Sequence, residues 1–272
     1  MKPKIGVFGC GWLGFPLAKE LVKMGYTVNG STTTKANLDL IGNEGIDPFL
    51  VQLYEEGVRG NLISFLKGID ILVINVPPKR AANAEDYVPK MRQLHEAIKI
   101  MRISKVIFVS STSVYGELSG EVTEKTIPKP KTETGKQLLT AEKLFKDNPS
   151  LATTIVRFGG LIGPDRHPVT FLSGRKNMKN GDDMINLIHL EDCIYLITSI
   201  IANEWWNEIF NGVYPHHPTK REYYTEEAKK RGLPPPEYLK TYPGKSGKLI
   251  KGRAFEKKNL HFKTPIASQF EK

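Results

Sequence analysis

Two stretches of this chain set residue types at spacings that could do chemistry. In the first, Gly9-Cys10-Gly11-Trp12-Leu13-Gly14, a G-x-G-x-x-G pattern lies between a short apolar run and a segment with apolar residues at helical spacing. In that setting Gly9 permits a tight turn, Gly11 lets the backbone approach a diphosphate, and Gly14 lets helix and strand pack closely. Trp12 and Leu13 complete the loop, and the phosphates of a dinucleotide are expected at the positive end of the following helix. The second stretch, Val109-Ser110-Ser111-Thr112-Ser113-Val114-Tyr115-Gly116, sets four serine and threonine hydroxyls in a row at the end of an apolar run. It adds a phenol, Tyr115, that could exchange a proton if its pKa were lowered.

A nicotinamide dinucleotide bound on such a loop is discriminated about 20 residues downstream, where an acidic residue commonly holds the ribose hydroxyls. Here that stretch reads Gly30-Ser31-Thr32-Thr33-Thr34-Lys35, without a carboxylate. Ser31, Thr32, Thr33 and Lys35 offer donors to a 2′-phosphate, so NADP is the expected cofactor, with NAD as the alternative. The plainer reading is that Thr33 and Thr34 only cap the next helix. Val76-Pro77-Pro78, at the end of a long apolar run, and Ser110 complete the expected cofactor contacts. Arg166 and His189 are the candidate substrate contacts, although a histidine between Ile188 and Leu190 also reads as a structural hydrogen-bonder.

These residues need a scaffold, and the pattern supplies one. Strands are predicted at Lys4–Phe8, Tyr26–Gly30, Phe49–Val51, Ile69–Val76, Lys105–Ser110 and Thr153–Phe158, with another around Phe210. Helices are predicted at Leu13–Met24, 85–102, 136–147 and 190–202, so strands and helices alternate. That order implies an α/β fold, a Rossmann-type doubly wound parallel sheet with a smaller C-terminal substrate lobe. Residues 1–163 form the dinucleotide-binding domain, with 186–213 returning to it. Residues 164–185 and 214–272, which include Pro234-Pro235-Pro236, form the smaller lobe. Trp205 and Trp206 are expected to pack at the base of the sheet.

The bulk composition fits. Hydrophobic residues make up 40% and charged residues 25% of the 272 residues, which excludes disordered and fibrous classes. No run approaches the ~18 apolar residues of a membrane-spanning helix. Cys10 and Cys193 have no paired spacing, which argues against a disulfide framework or a zinc site and for a reducing, cytoplasmic setting. The net charge is +10, and residues 215–272 carry 14 Lys and Arg against 6 Glu. Such a surplus suits an anionic small molecule as partner, or merely a solubilising surface. No nucleic-acid recognition element is evident, and the oligomeric state is left open.

The serine segment 109–116 resembles the Ser-Ser-x-x-Val-Tyr-Gly signature of extended short-chain dehydrogenases/reductases, the nucleotide-sugar epimerase and dehydratase superfamily. Arg157-Phe158-Gly159-Gly160-Leu161-Ile162-Gly163-Pro164 is similar to that family's sixth-strand segment, and Ile188-His189-Leu190-Glu191-Asp192 to its Ile-His-x-x-Asp segment. The resemblance implies an NADP-dependent oxidoreductase or epimerase-like enzyme, with Ser111 in the catalytic serine position and Tyr115 beside the pocket. It fails at the family's Tyr-x-x-x-Lys pair. Anchored on Ala141-Glu142, the two positions hold Thr134 and Leu138, and Lys136 stands about 200° around the helix from 138. The chain therefore looks like an atypical branch. The lost pair also suits a non-catalytic protein in which NADP biases association with a partner.

Overall fold

The computed structural model describes residues 2–78, 86–240 and 247–267. Its main sheet is built from β1 (Ile5–Phe8), β2 (Val28–Thr32), β3 (Asp47–Leu53), β4 (Val58–Gly60), β5 (Ile71–Ile74), β6 (Lys105–Ser111), β8 (Ala152–Phe158) and β11 (Ile209–Gly212). Four short strands, β7 (Gly120–Val122), β9 (Gly160–Ile162), β10 (Leu187–His189) and β12 (Lys248–Ile250), stand outside it. The order is β11-β8-β6-β5-β1-β2-β3-β4, parallel throughout except for the β3–β4 pair. This is the doubly wound, Rossmann-type architecture, and the order reverses between β1 and β5, where such sheets open a ligand crevice at the strands' carboxyl ends.

Burial on both faces explains the apolar strands. Along β5, Leu72 and Ile74 enter one core while Ile71 and Val73 enter the other, the alternation that a pleated strand dictates. The first core is closed by α3 (Leu62–Leu66), α4 (Tyr87–Ile100) and α5 (Glu133–Lys146), the second by α1 (Gly14–Lys23) and α7 (Leu190–Ala202). Between β2 and β3 lies the short helix α2 (Asn37–Gly42). A third, smaller core joins Ile162, Val169, Ile185 and Leu187 to Tyr223, Tyr224, Ala228 and Ile266. It is roofed by α6 (Val169–Leu172) and α8 (Lys220–Lys230), and α9 (Arg253–Glu256) packs near β11.

Several boundaries differ from the sequence expectation. Strand β2 starts at Val28 rather than Tyr26, because Tyr26 still bonds back to Leu21 O in the helix-closing turn at Gly25. Strand β5 ends at Ile74, since Pro77 and Pro78 cannot donate to a ladder. The third strand is longer than Phe49–Val51 and turns into the antiparallel β4. Helix α4 begins at Tyr87, capped by Asp86, and residue 85 lies outside the described residues. Helix α5 begins at Glu133, where Thr132 caps Gly135 N. The C-terminal segment returns to the core, with β12 pairing in parallel with β7.

Candidate functional site

The glycine loop joins β1 to α1, and its geometry assigns a task to each glycine. Gly9 holds a φ of +104°, a conformation that L side chains rarely adopt. A Cβ on Gly14 would lie 2.0 Å from Gly9 O, whereas one on Gly11 would meet nothing within 4 Å. The loop is fixed from two sides. Gly9 N donates to Ser31 Oγ at 2.9 Å, Cys10 N to Ser31 O at 2.7 Å, and Asn75 Nδ2 to Gly9 O at 3.3 Å.

The loop forms one end of a cleft of about 520 Å³ at the β1–β5 reversal. Val76 and Pro77 stand on its wall, as do Thr32, Thr33 and Thr34, with Gln52 and Tyr54 from the β3 side and Lys90 from α4. No Asp or Glu is on the wall among the described residues. Gly11 opens onto this space just ahead of the α1 N-terminus, where helix amides lack intrahelical partners, so the residues present fit the diphosphate of a dinucleotide. Gln52 Nε2 donates to Thr33 O at 2.8 Å, and Tyr54 OH donates to Gln52 Oε1 at 2.8 Å. Tyr87 OH donates to Val76 O at 2.8 Å, and its burial pushes the phenol pKa up. Cys10, also on the wall, has a thiol raised to about 12 by burial, so it is no nucleophile.

The expected cofactor contacts divide between the cleft wall and other places. Ser31 is buried and its hydroxyl accepts from Gly9 N, while Thr32 Oγ1 accepts from Thr34 N at 3.2 Å. Both line the cleft and brace the loop through these acceptor roles, which leave each hydroxyl its own proton to donate. Lys35 is exposed and off the wall, Pro78 is buried off the wall, and Leu13 is a core residue. Thr34, Asn37, Gln52, Tyr54, Asn75 and Lys90 were not anticipated. Their signal lies in the strand order, which brings β3 and α4 against the loop.

The serine segment ends β6 level with Val76, since Ile74 pairs with Phe108. Ser110 Oγ donates to Glu142 Oε1 at 2.6 Å in the interior, which removes it from the cofactor side. Ser111 is half-buried at the sheet's carboxyl edge, where its Oγ accepts from Ser113 N at 3.1 Å. Its own proton has no acceptor among the described residues. Tyr115 is not beside the pocket: it is fully buried, its OH donating to Asn211 Oδ1 at 2.9 Å and accepting from Arg157 Nη1 at 3.0 Å. Desolvation raises its pKa against the opposing pull of Arg157. The 3₁₀ turn Thr112–Tyr115 is held from outside by Lys248 Nζ, which donates to Thr112 O and Gly116 O at 2.9 Å each. On α5, Leu138 is buried in the first core, Thr134 is half-buried, and Lys136 is exposed beside Glu133 at 3.7 Å.

The candidate substrate residues lie across the loop. Trp12 Nε1 donates to Asp165 Oδ1 at 2.9 Å, and the Arg166 guanidinium stacks 4.9 Å from the centre of the Trp12 ring. His189 caps α7, its Nδ1 accepting from Glu191 N at 3.3 Å. It also lines a cavity of about 300 Å³ with Pro164, His167, Arg231 and Thr264. His167 Nδ1 accepts from Val169 N, which leaves Nε2–H facing Tyr223 OH at 2.9 Å, and Tyr223 OH in turn donates to Ile266 O. The basic surplus of the C-terminal region is spread over the surface, with Lys220, Arg253 and Lys258 each paired to a carboxylate. Among the described residues no helix is long and apolar enough to cross a membrane.

The sheet order and the glycine-loop cleft define a Rossmann-type α/β fold, the fold that solved NAD-dependent epimerases and dehydratases share. MoeE5, solved in complex with UDP-glucuronic acid and NAD, shares it with a TM-score of 0.78 at 20% identity, over 97% of this chain and 95% of that one. The chain belongs to the family of protein YeeZ of Escherichia coli strain K12, to which it is 36% identical over 251 residues, 92% of this chain and 91% of that protein. It is also 26% identical to the uncharacterized UDP-glucose epimerase YtcB of Bacillus subtilis, over 54% of each. No model of a known protein family matches the chain.

Proposed function

We propose that this chain is an NADP-dependent, epimerase- or dehydratase-like oxidoreductase of the cytoplasm, acting on a small, anionic, nucleotide-linked substrate. The observation that carries the reading is one edge of one sheet. The open Gly11 cradle, a cleft wall without carboxylates, and a serine hydroxyl with its proton unspent lie along the same carboxyl edge. When bound, the nicotinamide would supply hydride transfer. The chain's own part is to hold the diphosphate on the loop, to accept a 2′-phosphate near Thr33 and Thr34, and to orient a substrate oxygen with Ser111. The likeness to proteins whose names specify UDP-sugars supports a nucleotide-linked substrate. Arg166 and His189 remain candidates for its anionic part. Tyr115 has no part in the proton transfer, because both of its hydrogen-bonding roles are occupied in the interior.

A second reading is favoured by Thr134 and Leu138: a protein that binds NADP without turnover and changes its association with a partner. One set of measurements separates the two. Turnover of NADPH or NADP with a panel of UDP- and dTDP-sugars supports the enzyme. A cofactor-dependent change in sedimentation, with no turnover across the panel, supports the second reading.

A further inference from the structure

We infer that Arg59, on the hairpin between β3 and β4, takes the adenosine 2′-phosphate and makes the cleft select NADP; the inference rests on the NADP reading above. The β3–β4 register sets Arg59 directly opposite Gln52. Cross-strand partners point to the same face of a sheet with Cβ atoms about 5 Å apart. That face is the cleft's, because Gln52 lies on the cleft wall and its amide reaches Thr33 O at 2.8 Å. The guanidinium is already organised there, 4.8 Å from the centre of the Tyr54 ring, and the Tyr54 hydroxyl holds Gln52 Oε1. Arg59, Tyr54, Gln52 and Thr33 thus form a continuous line from the hairpin to the end of β2, where a dinucleotide on this loop carries its adenosine ribose.

The electrostatic setting agrees. Arg59 is exposed and makes no ion pair with any described residue, so its charge is available to a phosphate. Two acidic residues lie in the hairpin turn. Glu55 is turned toward α4, where its carboxylate accepts from Asp86 N, and Glu56 is exposed and makes no ion pair with Arg59. The hairpin itself is fixed by Tyr54 N donating to Gly57 O and by Gly60, whose φ of +93° brings it against Leu50 O. A planar guanidinium stacked on a ring keeps its fork of donors free for a phosphate at little further cost in freedom. Arg59 and Lys35 both stand just outside the cleft lining, but Lys35, the cation nearest in sequence, has no ring or cross-strand partner among the described residues that aims it there.

The test is calorimetric titration of the full chain and its R59A, R59K and K35A variants with 2′,5′-ADP, 5′-AMP, NADPH and NADH. The wild type is expected to bind 2′,5′-ADP more tightly than 5′-AMP, and NADPH more tightly than NADH. R59A should lose roughly 10- to 100-fold for the two 2′-phosphorylated ligands, the worth of one charge-assisted hydrogen bond, and leave the other two within about twofold. R59K should fall between, and K35A should lose less than R59A. A wild type that does not discriminate overturns the NADP reading and the inference with it. A wild type that discriminates, with R59A unchanged, overturns the inference alone. Matching thermal melts of R59A and wild type confirm that a loss is local.

Discussion

Glu142 and Arg157 meet edge to edge in the interior, Nη2 and Nε standing 2.6 and 3.0 Å from the carboxylate oxygens, with neither side chain more than 4% exposed. Ser110 and Tyr115 complete the cluster. Removing one member of a buried pair strands the other's charge, so Glu142→Ala should cost about 3–5 kcal/mol in denaturant unfolding. Tyr115→Phe should cost about 1–3 kcal/mol and leave cofactor binding and turnover intact. Lost turnover at unchanged stability would return Tyr115 to the reaction.

Two glycines one turn of chain apart should fail differently. Gly14→Ala drives a methyl group into Gly9 O and should destabilise the fold, by an amount read from urea melts. Gly11→Ala meets no atom of the protein, so its melt should match the wild type while NADPH affinity drops tenfold or more (~1.4 kcal/mol). A Gly11 variant that binds normally would show that the diphosphate does not sit on this loop.

Just past the end of β2, Thr33 and Thr34 face the cleft with side-chain hydroxyls held by no described residue, and Thr33 is the nearer to the strand. Thr33→Asp is expected to invert the preference toward NADH, by repelling a 2′-phosphate and accepting ribose hydroxyls. Ser111→Ala, in contrast, should leave both dinucleotide affinities alone and lower kcat, by ~10²-fold or more if its hydroxyl polarises the substrate oxygen. Equal kcat in Ser111→Ala and wild type would remove Ser111 from the mechanism.

His167 supplies a pH dependence. Burial lowers its pKa from 6.5 to about 4, with Arg231 acting in the same direction and Glu227 opposing. Below pH 6.5 the unfolded chain therefore binds a proton that the folded chain refuses. The contribution to stability is complete above pH 6.5 and is lost as pH falls toward 4, at about 1.4 kcal/mol per unit. Protonation of Nδ1 would also displace the Val169 amide. Unfolding midpoints measured from pH 7.5 to 4 should fall less steeply in His167→Gln than in the wild type. Parallel slopes would assign the loss to buried His95 and half-buried His217, whose pKa values burial also lowers.

The sheet was legible because two-sided burial writes itself as apolar runs: Ile71–Ile74 and Val106–Phe108 read as strands from composition alone. The glycine loop was legible for a similar reason, each glycine answering a local steric demand. What escaped the sequence was contact between distant segments. Nothing in Val58–Gly60 announces a strand, because all three residues are exposed, yet that strand sets Arg59 opposite Gln52 of the cleft wall. Ser31, Ser110 and Tyr115 read as free hydroxyls, and only the fold reveals their partners Gly9, Glu142 and Asn211. Lys248, 136 residues from the turn it clamps, had no local signal at all.

The stacking of Trp12 beneath Arg166 gives the protein an optical probe of its own. Trp12 sits one residue beyond Gly11 with its indole N–H fixed on Asp165. Trp205, by contrast, accepts from Thr154 near the start of β8, at the amino end of the parallel sheet and so opposite the glycine loop, and Trp206 adjoins it. A reduced nicotinamide absorbs where indole emits. A dinucleotide seated on the glycine loop would therefore draw excitation chiefly from Trp12, and replacing that one ring with phenylalanine would darken the transfer while the paired tryptophans kept emitting.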